Sequence, residues 1–148
     1  MSSPPWDFNG TDEGFVASNS SSITSGSTYT TYSISGGSAY PNFKNSAANI
    51  NTSDGNYIAL TIQNKTENTR LQVITTVGDS NSFTNFDNIT TNDTDFVTYY
   101  IDMSNNANWS GTLNIINFRF KFDPNNGTAN SKAGDIYIDN IEILDEIP

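Results

Sequence analysis

Along most of the chain the apolar residues recur at every second position. YIALTI (57–62) sets Ile58, Leu60 and Ile62 against Tyr57, Ala59 and Thr61. RLQVITTV (70–77) sets Leu71 and Val73 against Arg70 and Gln72, and DFVTYYIDM (95–103) separates Val97, Tyr99, Ile101 and Met103 from Phe96, Thr98 and Tyr100. TLNIINFRFKF (112–122) opposes Ile116, Phe118, Phe120 and Phe122 to Ile115, Asn117, Arg119 and Lys121. Period two marks strands with one buried face, and no window repeats apolar residues at i, i+3, i+4 and i+7. The chain is therefore predicted to be all-β, with essentially no helix. DIYIDNIEIL (135–144) is the last strong strand, and residues 29–34 form a further one.

Between these runs lie NTSDGN, GDSNS, TTNDTD, NNANWSG and DPNNGTANSKAG, whose Gly, Asn, Asp and Ser residues are turn chemistry. Strands at this spacing without intervening helices predict a two-sheet antiparallel sandwich or a barrel. The Ser-rich stretch SNSSSITSGSTYTTYSISGGS is read as an ordered, exposed loop leading into the 29–34 strand. No linker or repeat divides the chain, so residues 1–148 are expected to form a single module, with residues 1–3 flexible or left from expression.

Charge then narrows the function. Six Lys and Arg against sixteen Asp and Glu give a net charge of −10, which repels nucleic acid and anionic membrane surfaces. The same field disfavours strongly anionic polymers, unless a local Arg or Lys cluster overrides it. With no His and no Cys, the commonest general base and the thiol nucleophile are both missing, so catalysis would rest on carboxylates, Tyr, Lys or Ser. No apolar run is long enough to span a membrane and no signal peptide follows Met1, so an exported protein would be represented here by its mature part. Asn-x-Ser/Thr matches at Asn9, Asn64, Asn88 and Asn108 are what a chain rich in Asn, Ser and Thr generates by chance.

The segments WDFNGTDEGF, NSAANINTSDGNYIALTIQNKTENTRLQV, TYYIDMSNNANWSGTLNIINFRFKFDP and GDIYIDNIEIL, in that order, resemble a bacterial carbohydrate-binding module of the jelly-roll type of families 4, 16 and 22. The resemblance spans residues 6–144. Its most specific parts are Tyr-x-x-Leu-x-Ile-x-Asn-Lys-Thr, the Asp-Met-Ser to Trp-Ser-Gly-Thr segment and the closing Ile-Asp-Asn-Ile; the Ser-rich N-terminal part and NFRFKFDP depart from the pattern. It implies a two-sheet jelly roll, a structural calcium ion near the termini and a sugar site on the concave sheet face or at the loop tips. It also implies no catalytic activity. The expected setting is extracellular or at a bacterial cell surface, as a monomeric module of a larger protein, with a polysaccharide or oligosaccharide as partner, no nucleic acid and no membrane insertion.

Calcium takes about 6–8 oxygen ligands, which a chain without His or Cys is able to supply. Asp139 alternates with Tyr137 and Ile141, where an unpaired half-buried charge is costly. By resemblance the role of metal ligand falls on Asp139 and Asp7, with Asp12, Glu13 and carbonyls of residues 43–49 nearby; the alternative is a carboxylate hydrogen-bonded by the first strand. The acidic DPNNGTANSKAGD stretch lacks the ligand spacing of an EF-hand.

Sugars present C–H faces to aromatic rings and hydroxyls to planar polar groups. The outward residues Tyr57, Arg70, Gln72, Arg119 and Lys121 supply that mixture and are the expected carbohydrate-binding residues, with Trp109 either a further platform or, more in keeping with its size, a plug at the end of the sandwich. Trp6 is assigned to the core. Tyr29, Tyr32, Tyr40 and Phe43 offer a loop-tip site instead. A neutral β-glucan is the expected ligand, β-1,3-linked and laminarin-like in the leading version. Alternatives are a small jelly-roll glycosidase using Asp102 and Glu142, a lyase using Tyr57 and Arg119, and a calcium-stabilised adhesion domain.

Overall fold

In the computed structural model, which describes residues 3–36, 40–122 and 131–148, the alternating segments become strands β1 (Phe15–Ser18), β2 (Ser21–Ser25), β3 (Thr30–Ile34), β4 (Asn42–Asn45), β5 (Ile50–Asn51), β6 (Tyr57–Asn64), β7 (Arg70–Val77), β8 (Ser80–Asp87), β9 (Val97–Asp102), β10 (Thr112–Leu113), β11 (Ile115–Lys121) and β12 (Gly134–Leu144). Among the described residues the one helical element is a single 3-10 turn, Thr52–Asp54. Two five-stranded antiparallel sheets, in the orders β1-β4-β11-β7-β8 and β2-β3-β12-β6-β9, face each other as a jelly-roll sandwich, with β5 and β10 pairing at one end. Of the DPNNGTANSKAGD stretch, residues 123–130 lie outside the described residues.

The inner faces are those the alternation predicts. Ile58, Leu60, Ile62, Leu71, Val73, Ile101, Ile116, Phe118 and Phe120 are all buried, and Trp6 and Phe8 join them. Phe43 stacks on Phe118 with centroids 5.2 Å apart, and Trp6 meets Phe15 edge-on at 5.1 Å. Each such side chain contributes about 1.5–3 kcal/mol through burial.

Three sequence expectations fail, each for a local reason. β8 begins within the expected GDSNS turn and runs on to Asp87 as a strand that the alternation does not reveal, because its inward positions include Ser82 and Thr84 and leave Phe86 as the apolar marker. β2 replaces the expected Ser-rich loop: it is a hydroxyl-rich edge strand paired to β3, where polar side chains suit an exposed edge. The third lies within β12, where Ile138 pairs with Ile62 and Asn140 with Thr61, leaving Asp139 as a bulge. That extra residue reverses the side-chain alternation, so Ile141 is buried in the core rather than sharing the side of Tyr137 and Asp139.

The motifs that carry the family resemblance are structural fastenings. Buried Asn64 donates its amide to the carbonyls of Asn68 and Thr90, both at 2.9 Å, and accepts from the Thr66 amide and hydroxyl. Asp93 closes this knot by accepting from Asn64 N at 2.9 Å and from the Thr90 hydroxyl at 2.6 Å. Buried Asn108 donates to the carbonyls of Thr75 and Ser80. Two of the Asn-x-Ser/Thr matches, at Asn64 and Asn108, are thus buried and hydrogen-bonded within the fold.

Candidate functional site

The outer face of the β1-β4-β11-β7-β8 sheet gathers most of the predicted binding residues. Because β11 runs antiparallel to β7, and β7 to β8, the register sets Arg119 beside Gln72 and Asn85, and Lys121 beside Arg70 and Asp87. One row along, Lys44, Asn117, Ile74 and Phe83 lie side by side. Gln72 donates to Asn85 Oδ1 at 2.9 Å and receives a long contact of 3.4 Å from Arg119 Nη1. Tyr40, held just before β4 by hydrogen bonds from the Asn19 and Asn42 side chains to its carbonyl, lies with its ring 4.5 Å from the Arg119 guanidinium carbon.

Tyr40, Gln72, Phe83, Arg119 and Lys121 line an open depression of about 410 Å3. Phe83 is half exposed at its edge. On this side of β11 two polar atoms are buried without a hydrogen-bond partner, Arg119 Nε and Asn117 Oδ1. Buried polar atoms in native proteins are normally paired, so an unpaired donor and acceptor two residues apart on one side of β11 are notable. Burial lowers the pKa of Arg119, against the opposing influence of the Tyr40 and Tyr32 phenols; burial, Arg70 and Arg119 together lower that of Lys121. Arg70 is differently placed: it forms a two-pronged pair with Asp87, at 2.5 and 2.9 Å, which raises the pKa of Arg70 and lowers that of Asp87.

The remaining predicted residues lie elsewhere. Tyr57 belongs to β6 in the opposite sheet, beside Asp102 and Leu144, so it shares no surface with Arg119. Trp109 packs partly buried against the core and donates its indole N–H to the Gly55 carbonyl at 3.0 Å, the geometry of a plug. Gly55 in turn sits so close to β12 that a Cβ there would fall 2.0 Å from the Leu144 carbonyl oxygen. The expected loop-tip group is dispersed. Tyr32 and Phe43 are core residues, Tyr40 joins the Arg119 face, and Tyr29 packs on Tyr137 of the other sheet and on Phe96 just before β9. Sequence reasoning does not select Phe83, Asn85, Asn117 or Lys44 for this face; recognising β8 as a strand would bring in the first two.

Near the termini, Trp6 and Ile141 exchange two backbone hydrogen bonds, 2.8 and 2.9 Å, which bring Asp7 beside Asp139. Burial and the Asp7 charge raise the pKa of Asp139, and no described donor hydrogen-bonds its carboxylate. The other nearby acids are engaged: Glu13 accepts from Asp7 N and the Thr11 hydroxyl, and Asp12 from the Ser25 hydroxyl. Among the described residues no three metal-type side chains converge. Two repelling carboxylates with no counter-cation among the described residues suit a divalent ion by charge, and backbone carbonyls or water would complete a shell.

No protein-family model matches the chain, and no curated protein matches it in sequence. Solved structures do. A carbohydrate-binding module of family 28, specific for non-crystalline cellulose, superposes with a TM-score of 0.64 at 13% identity, covering 95% of this chain and 92% of that one. A family 11 carbohydrate-binding module of a cellulosomal cellulase from Clostridium thermocellum gives 0.62 at 17% identity, covering 100% and 98%. The N-terminal cellulose-binding domain of a β-1,4-glucanase from Cellulomonas fimi gives 0.56 at 15% identity, covering 95% and 94%. At these identities the likeness establishes the fold.

Proposed function

We propose that this chain is a non-catalytic polysaccharide-binding module whose ligand lies across the outer face of β11 and β7. The observation that carries the reading is the convergence of the Tyr40 ring, the Arg119 guanidinium, the Gln72 amide and Phe83 on one open depression. An aromatic face for sugar C–H groups beside planar hydrogen-bonding groups is the chemistry a glycan requires. The three similar structures, all named as carbohydrate- or cellulose-binding domains, add support.

For the backbone we infer a β-glucan, as the cellulose in two of those names suggests, with the β-1,3 and β-1,4 linkages decided by titration against laminarin and hydroxyethyl cellulose. The module would work outside the cell, tethering a larger enzyme or surface protein to its polymer. Asp7 and Asp139 would hold a calcium ion that ties the N-terminal segment to β12 and neutralises their repulsion.

Hydrolysis is the weaker reading. A glycosidase needs two carboxylates about 5–10 Å apart across the bound sugar, whereas the described residues lining the depression include none. Hydrogen bonding from the Ser104 side chain, and then from Ser104 N, lowers the pKa of Asp102, which suits it poorly to act as a general acid. A Tyr57 and Arg119 lyase pair would have to act through the sandwich, since the two sit on opposite sheets. Affinity electrophoresis and calorimetry against laminarin, hydroxyethyl cellulose, xylan and mannan test the proposal: retention without new reducing or unsaturated ends is expected. Turnover would replace it with an enzyme, and no retention by any polymer with an adhesion domain.

A further inference from the structure

The two sheets carry opposite charge. Strands β1, β4, β11, β7 and β8 contain Lys44, Arg70, Arg119 and Lys121 against a single acid, Asp87. Strands β2, β3, β12, β6 and β9 contain no cation and four acids, Asp102, Asp135, Asp139 and Glu142. Four of the chain's six Lys and Arg therefore sit in one sheet of a protein whose net charge is −10. They alternate with the buried residues Phe43, Leu71, Phe118 and Phe120, which places all four on the outer face.

Their spacing makes them one cluster. Adjacent strands are ~4.8 Å apart and same-side residues of one strand ~7 Å apart, so Lys121, Arg70 and Arg119 lie well within each other's fields. The effect is visible in Lys121, whose pKa is depressed by burial and by both guanidiniums. Sixteen acids are available to the chain, yet among the described residues the one ion pair here joins Asp87 to Arg70. Like charges gathered on a sheet face cost stability, and the buried Arg119 Nε still lacks an acceptor.

We propose that this face selects polysaccharides whose sugars carry carboxylates, uronate-type units, over neutral chains of the same backbone. The inference rests on the reading that this face is the glycan site, and it narrows the ligand class. A planar carboxylate suits the guanidinium fork of Arg119, with Lys121 and Lys44 as flanking charges. Asn117, two residues from Arg119 on the same side of β11, carries a second buried polar atom without a partner, its Oδ1. The net charge of −10 does not oppose this locally. At physiological salt the screening length is ~8 Å, and the acidic sheet lies ~10 Å away across the core.

Calorimetric titration with hydroxyethyl cellulose and carboxymethyl cellulose compares one β-1,4-glucan backbone without and with carboxylates; a β-linked polyuronate and dextran sulfate complete the set. Carboxymethyl cellulose or the polyuronate is expected to bind about tenfold tighter than hydroxyethyl cellulose. That advantage should shrink as salt is raised to ~0.5 M, where screening shortens the reach of the charges, and in Lys121→Gln and Lys44→Gln variants that retain the wild-type melting midpoint. Equal or tighter binding of hydroxyethyl cellulose overturns the charge assignment while leaving the glycan site standing. Dextran sulfate binding as strongly as carboxymethyl cellulose also overturns it, reducing the face to a general polyanion surface. Binding of no polymer at all removes the glycan site itself, and this inference with it.

Discussion

The Arg119 guanidinium carbon lies 4.5 Å from the centre of the Tyr40 ring, joining the middle of β11 to the segment entering β4. A cation over an aromatic face is worth ~0.5–2 kcal/mol, depending on how far water is excluded. The pair therefore forms a wall of the depression before any ligand arrives. Arg119→Ala removes a charged donor and Tyr40→Ala its support, so each should weaken polysaccharide binding by ~1.5–3 kcal/mol, the range for hydrogen bonds to charged groups. Tyr57→Ala, on the opposite sheet, should leave affinity unchanged. Calorimetry of the three variants checks this, and a comparable loss in Tyr57→Ala would move the site to the other face.

The contrast between Arg119 and Tyr57 shows what the chain discloses on its own. Where alternation is complete, as in β6, β7, β9 and β11, the buried and exposed faces come directly from residue order. Which outward faces belong to one surface depends on strand pairing, which residue order does not encode, and so periodicity alone groups Tyr57 with residues of the wrong sheet. β8 is hidden because Ser82 and Thr84 fill inward positions that alternation expects to be apolar, and Phe83 is hidden with it. Asp139 is visible as an anomaly, but the bulge that explains it is a relation between two strands. The three segments that make the fold recognisable are fastenings for the sandwich, which is why they identify the architecture and say little about the ligand.

Asn64 is the clearest of those fastenings. With no exposed surface it makes two donor and two acceptor bonds through its side chain, stapling the turn after β6 to residues 68 and 90. Asn64→Ala strands several buried partners at once, and each unsatisfied group costs ~1–3 kcal/mol. A fall in the urea midpoint worth at least ~2 kcal/mol is expected, with the outer face of β11 and β7 unaffected in any molecules that remain folded. A loss below ~0.5 kcal/mol, the range of ordinary surface substitutions, would mean that water replaces the side chain and the knot is not a stability determinant.

The Asp7 and Asp139 pair predicts a reversal. Without a cation, Asp139→Asn keeps the shape of the bulge and removes the repulsion, so the variant should melt above the wild type in chelator. With calcium the wild type should rise, by ~2.7 kcal/mol when calcium is at about a hundred times its Kd, since the ion binds the folded state alone. The variant should rise much less, and the order of the two midpoints should invert. Identical calcium shifts in both proteins would place any ion away from Asp139, and a variant less stable in chelator would mean that the carboxylate already has a stabilising partner.

Tyr32 gives the protein a predictable alkaline limit. Its ring is wholly inside the core, and burial pushes its pKa from 10.0 to about 12, with Ser21 and Arg119 tempering the rise. The hydroxyl makes no well-formed hydrogen bond even though Ser21 is close enough to influence it. The charged form is the deprotonated one, so the unfolded chain loses this proton near pH 10 while the folded chain keeps it to about pH 12. Stability from this group is therefore intact below pH 10 and is lost as the pH climbs between those values, at up to ~1.4 kcal/mol per pH unit. Tyr32→Phe removes the titrating group and an unpaired buried oxygen together. Its urea midpoint should match or exceed the wild type at about pH 7 and fall less steeply from pH 10 to 12, because every other Tyr and Lys is common to both proteins. Parallel decline of the two curves would show that Tyr32 ionises in the folded state as readily as in the unfolded chain, which a ring sealed in this core should not do.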